Sequence, residues 1–353
     1  MILLIENNFN EAIQWAKEHQ PKKIYFSPRA QSNAQKSFLN SRFLEIKKLI
    51  PNIEVITKNQ ALVHFKSDSP LAYSALPAPE ELKTLKMNPS NFLLQQNRFW
   101  QSVDFSRGGS FSKFRNKMEK NLPAYFEDEE QYTDTELEEK LNEYFSVSTY
   151  AKNYFDTRNE MIGANYSTQF SSWLACGSLN VRYLFNRLKD FEEEYGSNKS
   201  TYWILFELLW REYFYHSGYH HQEALFSKNG IQGASLEFSK FEMEEKKLEK
   251  VFSHTPFMKA AYNELRLSGY QSNRTRQLFA SFFVNELGID WRIGAQLFEK
   301  YLIDYDVFSN WGNWQYLAGV GHDPRGKRKF NLQNQLERYN PDGDYISYWF
   351  NKT

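Results

Sequence analysis

A helical pattern of apolar residues runs through the chain from Tyr150 to its end and constrains the fold more than any other feature. In the segment TYWILFELLWREYF, the large residues Trp203, Phe206, Trp210 and Tyr213 recur at intervals of three and four. This spacing places them on one face of an α-helix and predicts that this face is buried. We therefore expect a mainly α-helical protein.

The first 66 residues follow a different pattern. MILLIE, KKIYF and IEVIT are typical of short apolar strands, and the helical segments EAIQWAKEH and AQKSFLNSRFLEIKKLI separate them. Alternation of strands and helices favours a small parallel sheet. No glycine-rich phosphate loop joins a strand to a helix, so this part is not predicted to bind a nucleotide by itself.

Residues 67–133 break both patterns. The prolines of SDSPLAYSALPAPE and the adjacent glycines of FSRGGS predict a linker, which also contains the basic run FSKFRNKMEKN and the acidic run EDEEQYTDTELEE. We thus divide the chain into an α/β unit (1–66), a linker (67–133) and a helical domain (134–353).

Composition excludes several classes of protein. The 43 Lys and Arg residues balance the 43 Asp and Glu residues, so any anion-binding surface must be local. Cys176 is the single cysteine, which excludes an intrachain disulfide and a cysteine-cluster zinc site. MILLIE is too short for a signal peptide, and no apolar run approaches the length of a membrane span. We expect a cytoplasmic monomer that binds neither a metal nor a membrane.

Three short motifs point to phosphate or metal binding without meeting its requirements. The run GHDPRGKR has Walker A spacing, but Arg328 stands where a hydroxyl is needed. His216 and His220 are four residues apart, without a third ligand nearby. Asp304-Tyr-Asp306 has the form of a metal-binding pair of a nucleotide-sugar transferase, and a helix cap explains the same spacing equally well.

One helix face combines three functional groups. Glu207, Trp210 and Arg211 stand at positions i, i+3 and i+4 and present a carboxylate, a large ring and a guanidinium together. An ordinary Glu–Arg pair beside a core tryptophan would give the same pattern, so the sequence context has to decide between the two interpretations.

Four long runs supply that context. They are YFDTRNEMIGANYSTQFSSWLACGSLNVRYL, FELLWREYF, SNRTRQLFASFFVNELGIDWRIGAQLFEKYLIDYDVFSNWGNWQYLAGVGHDPR and FNLQNQLERYNPDGDYISYW, in this order. Together they resemble the flavin-binding helical domain of the cryptochrome/photolyase family, most closely its DASH branch. The first part of the chain resembles only the last portion of the family's α/β antenna domain. The resemblance implies a photolyase-type helical FAD-binding domain after a small, truncated α/β remnant.

The resemblance implies that FAD is the cofactor. The residues matching the family's FAD site are Tyr154, Ser167, Thr168, Gln169, Phe170, Ser171, Arg211, Arg276, Asp304, Asp306 and Asn310. Arg276 and Asp304 would form a buried pair, and Asn310 would face flavin N5. Gln169 replaces the Lys or Arg usual at its position, which removes one phosphate-facing charge. We expect no antenna pigment, because its pocket would be incomplete.

The resemblance also implies a substrate pocket. Glu207, Trp210, Asn273, Arg274 and Tyr316 match the residues around the damaged dinucleotide that photolyases flip out of the strand. The implied activity is that of a deoxyribodipyrimidine photolyase: blue-light-driven, FAD-dependent repair of cyclobutane pyrimidine dimers in single-stranded DNA. The basic residues expected to contact DNA phosphates are Lys113, Arg115 and Lys117, or Arg325, Lys327 and Arg328.

Two other functions stay open from sequence alone. A blue-light photoreceptor or other non-repair flavoprotein of the cryptochrome type would share the cofactor site. A transferase would instead use Asp304 and Asp306 to bind a metal ion.

The family's photoreduction relay is only partly matched. Trp314 and Trp291 match its inner and middle tryptophans, whereas Phe238 occupies the outer position. Phenylalanine is much harder to oxidise than tryptophan, so we expect slow photoreduction or an exit through another ring, such as Trp311 or a nearby tyrosine.

Overall fold

The structure is a computed structural model. It describes residues 23–26, 48, 54–57, 110–120, 122, 124–125, 135–145, 150–234, 237–238, 245–322 and 328–352.

Two short strands form the described part of the N-terminal unit. β1 (Lys23–Phe26) and β2 (Glu54–Thr57) pair in parallel, with Lys23 opposite Glu54. This parallel pairing is the arrangement that the alternating pattern predicted. The predicted MILLIE strand and the helix EAIQWAKEH lie outside the described residues, as does the second predicted helix apart from Lys48.

Helices make up most of the described part, so the prediction of a mainly α-helical fold is confirmed. They are α1 (Ser110–Glu119), α2 (Thr135–Phe145), α3 (Tyr150–Thr157), α4 (Ser171–Cys176), α5 (Val181–Tyr195), α6 (Lys199–His221), α7 (Glu245–Phe252), α8 (Pro256–Ser268), α9 (Asn273–Asn285), α10 (Trp291–Tyr301), α11 (Val307–Ala318), α12 (Leu332–Tyr339) and α13 (Asp344–Phe350). A 3-10 helix, Gln222–Phe226, follows α6.

Helix α1 lies inside the segment that we predicted as a linker. Its buried residues Phe111, Phe114 and Met118 recur at three and four and face the core. Phe114 lies edge-on to Tyr213 of α6, with ring centroids 5.3 Å apart. The basic run in this segment therefore also carries an apolar stripe that packs on α6.

The predicted buried face of α6 is only partly buried. Tyr213 is fully buried, whereas Trp203, Phe206 and Trp210 keep some exposure. Phe206 and Trp210 contact Phe111 of α1, with ring centroids 5.4 and 3.6 Å apart.

Two glycines let α6, α10 and α11 approach closely. A Cβ atom on Gly294 of α10 would lie 2.1 Å from Cη2 of Trp314 in α11. A Cβ atom on Gly312 of α11 would lie 2.4 Å from Cδ1 of Phe214 in α6. Real Cβ contacts are never this short, so these positions require glycine for the three helices to pack as they do.

A buried carboxyl group joins α8 to α13. Glu264 of α8 is 6% exposed, and Tyr345 of α13 donates a hydrogen bond from its OH to Glu264 Oε2 at 2.5 Å. Burial raises the pKa of Glu264 to about 8, although the hydrogen bond from Tyr345 and the charge of Arg276 act in the opposite direction.

Two structural features are absent from the described ranges. None of the helices there is both long enough and apolar enough to span a membrane. The same part of the chain contains no group of three or more His, Cys, Asp or Glu side chains that could hold a metal ion.

Candidate functional site

A cavity of about 240 Å³ lies among α3, α6, α9, α10 and α11 and the loop before α4. The predicted site residues that line it are Tyr154, Ser167, Thr168, Gln169, Phe170, Ser171, Glu207, Asn273, Arg276, Asp304, Asp306, Asn310 and Trp314. Although these positions are far apart in the sequence, the fold brings them to one cavity, and they make up most of the predicted site.

The loop before α4 supplies hydroxyl groups to the cavity. Thr157 Oγ1 at the end of α3 donates to Tyr166 O at 2.7 Å and fixes the start of the loop. Gln169 has a φ of 54°, a left-handed conformation that non-glycine residues rarely adopt. Phe170 is the N-cap residue of α4 and makes no side-chain cap. Ser167 and Thr168 precede this N-cap residue, and both line the cavity.

An ion pair forms one wall of the cavity. Arg276 Nη2 donates to Asp304 Oδ2 at 2.8 Å, and Arg276 Nε donates to Gln271 O at 2.9 Å. Burial lowers the pKa of Arg276, but the adjacent Asp304 carboxylate and the neighbouring Tyr270 outweigh it, so the pKa is raised. The Asp304 side chain is 2% exposed and the Arg276 side chain 25% exposed, so the expected pair is formed with its carboxylate buried and its guanidinium half-buried.

The start of α11 brings two more predicted residues to the wall. Asp306 caps this helix, because its Oδ1 accepts a hydrogen bond from Ser309 N at 2.8 Å. Asn310 follows one turn later, and its Nδ2 donates to Ala295 O at 2.9 Å. The helix-cap interpretation of the Asp304-Tyr-Asp306 motif thus holds for Asp306, while Asp304 is engaged by Arg276.

Three buried polar atoms of the lining have no hydrogen-bond partner among the described residues. They are Asp304 Oδ1, Gln271 Oε1 and Trp314 Nε1. Buried polar atoms are nearly always hydrogen-bonded. Two acceptors and one donor around a single cavity therefore indicate a polar ligand.

Glu207 lines the cavity from α6. Its Oε1 accepts a hydrogen bond from Nη1 of Arg158, which also lines the cavity. Burial raises the pKa of Glu207, and the charge and hydrogen bond of Arg158 oppose that rise. The alternative interpretation of this helix face, an ordinary Glu207–Arg211 pair, does not describe these contacts: Arg211 Nη1 lies 3.3 Å from Glu212 Oε1, and its Nη2 donates to Leu174 O.

The other predicted site residues lie outside the cavity lining. Trp210 is stacked on Phe111 of α1, with ring centroids 3.6 Å apart and an interplanar angle of 10°. Tyr316 lies edge-on to Trp210 at 6.0 Å. Arg274 donates from Nη2 to Asn159 Oδ1 at 2.7 Å, and its guanidinium lies 4.4 Å from the ring of Tyr339.

Trp291 is fully buried outside the lining and contacts a further tryptophan. Its ring lies 5.6 Å from that of Trp311, nearly perpendicular to it. Trp311 Nε1 in turn donates to Tyr305 OH at 3.3 Å. Phe238 lies near Lys228, whose Nζ is 5.8 Å from the phenyl ring.

The predicted phosphate-contacting residues are only partly described. Lys113 and Arg115 lie on α1, and Arg328 Nη2 donates to Tyr316 OH at 2.5 Å. The side chains of Lys117 and His220 lie outside the described residues, as do residues 323–327 of the Walker-like run.

The polar residues of the lining that sequence reasoning missed include Arg158, Tyr270 and Gln271. Their positions beside recognised motifs in the sequence could have indicated them. Arg158 stands one helical turn after Tyr154 within YFDTRNEMIGANYS, and Tyr270 and Gln271 directly precede the SNRTRQ motif.

Comparisons with known proteins identify the fold. The model of the FAD binding domain of DNA photolyase matches residues 203–353. The crystal structure of a Synechocystis cryptochrome superimposes with a TM-score of 0.68 and 30% identity, covering 97% of this chain and 71% of that one. The chain belongs to the cryptochrome/photolyase family. Its mainly α-helical fold is the photolyase-type fold that the sequence predicted.

Curated relatives belong to the DASH branch of the family. Cryptochrome DASH of Idiomarina loihiensis is 50% identical over 209 residues, which is 59% of this chain and 46% of that protein. Cryptochrome DASH of Vibrio parahaemolyticus is 48% identical over 205 residues, which is 58% of this chain and 46% of that protein. The chain thus spans less than half the length of these two relatives.

The cavity residues fit the family's cofactor. FAD carries imide and hydroxyl donors, carbonyl and ring-nitrogen acceptors, and an anionic pyrophosphate. Asp304 Oδ1 and Gln271 Oε1 can accept from such donors, Trp314 Nε1 can donate, and Arg276 supplies a positive charge. The partnerless polar atoms therefore match a flavin nucleotide in chemistry.

Proposed function

We propose that this chain binds FAD in the cavity and repairs cyclobutane pyrimidine dimers in single-stranded DNA under blue light, as a deoxyribodipyrimidine photolyase. The observation that carries the proposal is that Glu207 and Asn273 line the same cavity as Arg276, Asp304 and Asn310. Groups assigned to the substrate and groups assigned to the cofactor thus share one space.

The residues of the chain would bind and orient the cofactor and the pyrimidine dimer. Reduced FAD, when bound, would supply light-driven electron transfer to the dimer and back, with no net redox change. Arg276 and Asp304 would hold the polar edge of the cofactor, and the hydroxyls of Ser167 and Thr168 would bind its phosphates. Glu207 and Asn273 offer a carboxylate and an amide to the hydrogen-bonding edge of a pyrimidine.

A Glu207→Gln protein is expected to repair dimers at least about tenfold more slowly, because one charge-assisted hydrogen bond to the pyrimidine is lost. The measurement mixes reduced, flavin-loaded protein with UV-irradiated oligo(dT) under blue light and follows recovery of thymine absorbance. Glu249→Gln is the matched control, since Glu249 lies on α7 and pairs at 3.6 Å with Arg266, away from the cavity lining. Equal repair rates for the two variants would contradict the role of Glu207.

One observation favours a blue-light receptor as the second candidate function. A face of the Trp210 ring, assigned to stacking on a base, is covered by Phe111. A receptor does not need that face free. Flavin-loaded wild-type protein that leaves the thymine absorbance unchanged under blue light would favour this alternative.

Two finer parts of the proposal have their own readouts. The preference for single strands rests on the resemblance to DASH proteins, and faster repair of oligo(dT) than of a duplex with the same dimers would support it.

The proposed lack of an antenna pigment predicts an absorption spectrum with the bands of FAD alone. A further chromophore band in the purified protein would contradict it.

We also propose that Trp311 donates an electron to Trp291 after Trp291 has been oxidised during photoreduction. The ring contact at 5.6 Å and the hydrogen bond from Trp311 to Tyr305 support this exit, given that Phe238 is a poor relay residue. We expect Trp311→Phe to slow light-driven reduction of the bound flavin by an external thiol several-fold. Trp349→Phe, on α13, serves as the control and should reduce at the wild-type rate. A wild-type rate for Trp311→Phe would exclude this route.

A further inference from the structure

Arg158 is held by two residues of α6 that are one helical turn apart. It follows α3, where its backbone N–H donates to Tyr154 O at 2.9 Å. Its Nη1 donates to Glu207 Oε1, and its guanidinium carbon lies 5.1 Å from the ring centroid of Trp203. A planar guanidinium suits both contacts, because it can stack on a ring while its edge donates to a carboxylate. Two contacts with α6, one to a carboxylate and one to a ring, therefore fix the position of Arg158.

The pair lies on the wall of the cavity. The side chain of Arg158 is 18% exposed and that of Glu207 is 35% exposed, and both residues line the space assigned to cofactor and substrate. Two further titratable groups lie close by. The charges of Glu207 and Arg158 both act on the pKa of Tyr154, and the charge of Arg158 helps to lower the pKa of Arg274. Among these groups, Arg158 is the cation in direct contact with Glu207.

We propose that Arg158 is the positioning residue of Glu207, which it fixes on the cavity wall as an ionised carboxylate with Oε1 engaged. The inference rests on the proposed function, in which Glu207 meets the edge of a pyrimidine. A carboxylate only accepts hydrogen bonds, whereas a protonated carboxyl group also donates one. Arg158 thus determines which hydrogen-bonding role Glu207 can take toward a ligand. Because a carboxylate has about four lone-pair sites, engagement of Oε1 leaves acceptor capacity for that ligand.

The test is a direct titration of the Glu207 carboxyl group in the flavin-loaded protein kept in the dark. Infrared difference spectra record the protonated carboxyl band, which is assigned by its loss in Glu207→Gln. We expect Arg158→Gln to move the titration midpoint upward by at least about one pH unit, a tenfold change in proton affinity. Arg158→Lys should give an intermediate midpoint, because it keeps the charge without the planar donor pair.

Arg274→Gln is the matched control, since it removes a nearby positive charge that makes no contact with Glu207 among the described residues. We expect a smaller shift for this variant than for Arg158→Gln. An unchanged midpoint in Arg158→Gln, or equal shifts in the two variants, would overturn the proposal. Should Arg158→Gln fail to fold, Arg158→Lys decides, because a wild-type midpoint in that variant would also overturn it.

A second readout separates this inference from the proposed function. In a protein that repairs dimers, the acid limb of the pH profile of repair should shift with the Glu207 midpoint in Arg158→Lys. In a protein that repairs nothing, the proposed function fails, and the infrared titration still decides whether Arg158 controls Glu207.

Discussion

A Glu264→Gln protein is expected to be more stable than the wild type at alkaline pH, with the difference growing between about pH 5 and pH 8. The pKa of Glu264 is raised from 4.5 to about 8 by burial, so the folded protein binds a proton there that the unfolded chain releases. The stability that Glu264 contributes to the wild type should therefore be fully present below its unfolded pKa and be lost as pH rises through its folded pKa. A shift of this size corresponds to roughly 3–5 kcal/mol. Glutamine carries no charge and can still accept the hydrogen bond from Tyr345.

Urea unfolding at pH 5, 7 and 9 measures this difference. Subtracting the free energy of unfolding of the wild type from that of Glu264→Gln at each pH isolates the one carboxyl group from all others. Glu249→Gln is the control, because Glu249 is 49% exposed and its removal should leave the pH dependence unchanged. Parallel pH curves for wild type and Glu264→Gln would mean that Glu264 is ionised in the folded protein at neutral pH.

Removing the Asp304 carboxylate is expected to lower the free energy of unfolding by about 3 kcal/mol and to abolish retention of flavin during purification. In Asp304→Ala, Arg276 would keep its charge at a largely buried site without the partner that now lies 2.8 Å away. The cavity would also lose the carboxylate oxygen that we assign to a cofactor donor. Urea unfolding and the flavin absorbance of the purified protein measure the two effects.

A second substitution distinguishes the unpaired charge from other causes. Adding Arg276→Leu to Asp304→Ala should restore part of the lost stability, because the uncompensated cation is gone, but should not restore flavin binding. Asp342→Ala is the control, since Asp342 is exposed and should change stability by no more than about 0.5 kcal/mol. A loss of stability in the double variant as large as the sum of two independent losses would contradict this explanation.

More of the fold than of the candidate site could be predicted from the sequence. The period of three and four predicted helices that the structure contains, and the alternating N-terminal pattern predicted the parallel pairing of β1 with β2. The Arg276–Asp304 pair could be predicted because both positions match a known family motif. These successes depend on local periodicity or on motifs that the sequence displays directly.

The contacts of Glu207 and Trp210 could not be predicted from the sequence in the same way. Glu207 has Arg211 four residues later on its own helix, yet it pairs with Arg158, which lies in the turn after α3. Trp210 stacks on Phe111 from a segment whose prolines and glycines predicted a linker. Partners that are distant in sequence are chosen by how helices pack, and neither spacing nor composition reports that choice.

The close approach of α10 to α11 restricts how this family member can vary. Because a methyl group on Gly294 would overlap the indole of Trp314, even alanine at that position would push the ring toward the cavity or separate the two helices. Gly294, which is not part of the cavity lining, therefore determines where the indole of Trp314 can lie in that lining. Position 294 has no tolerated alternative so long as the indole keeps its place.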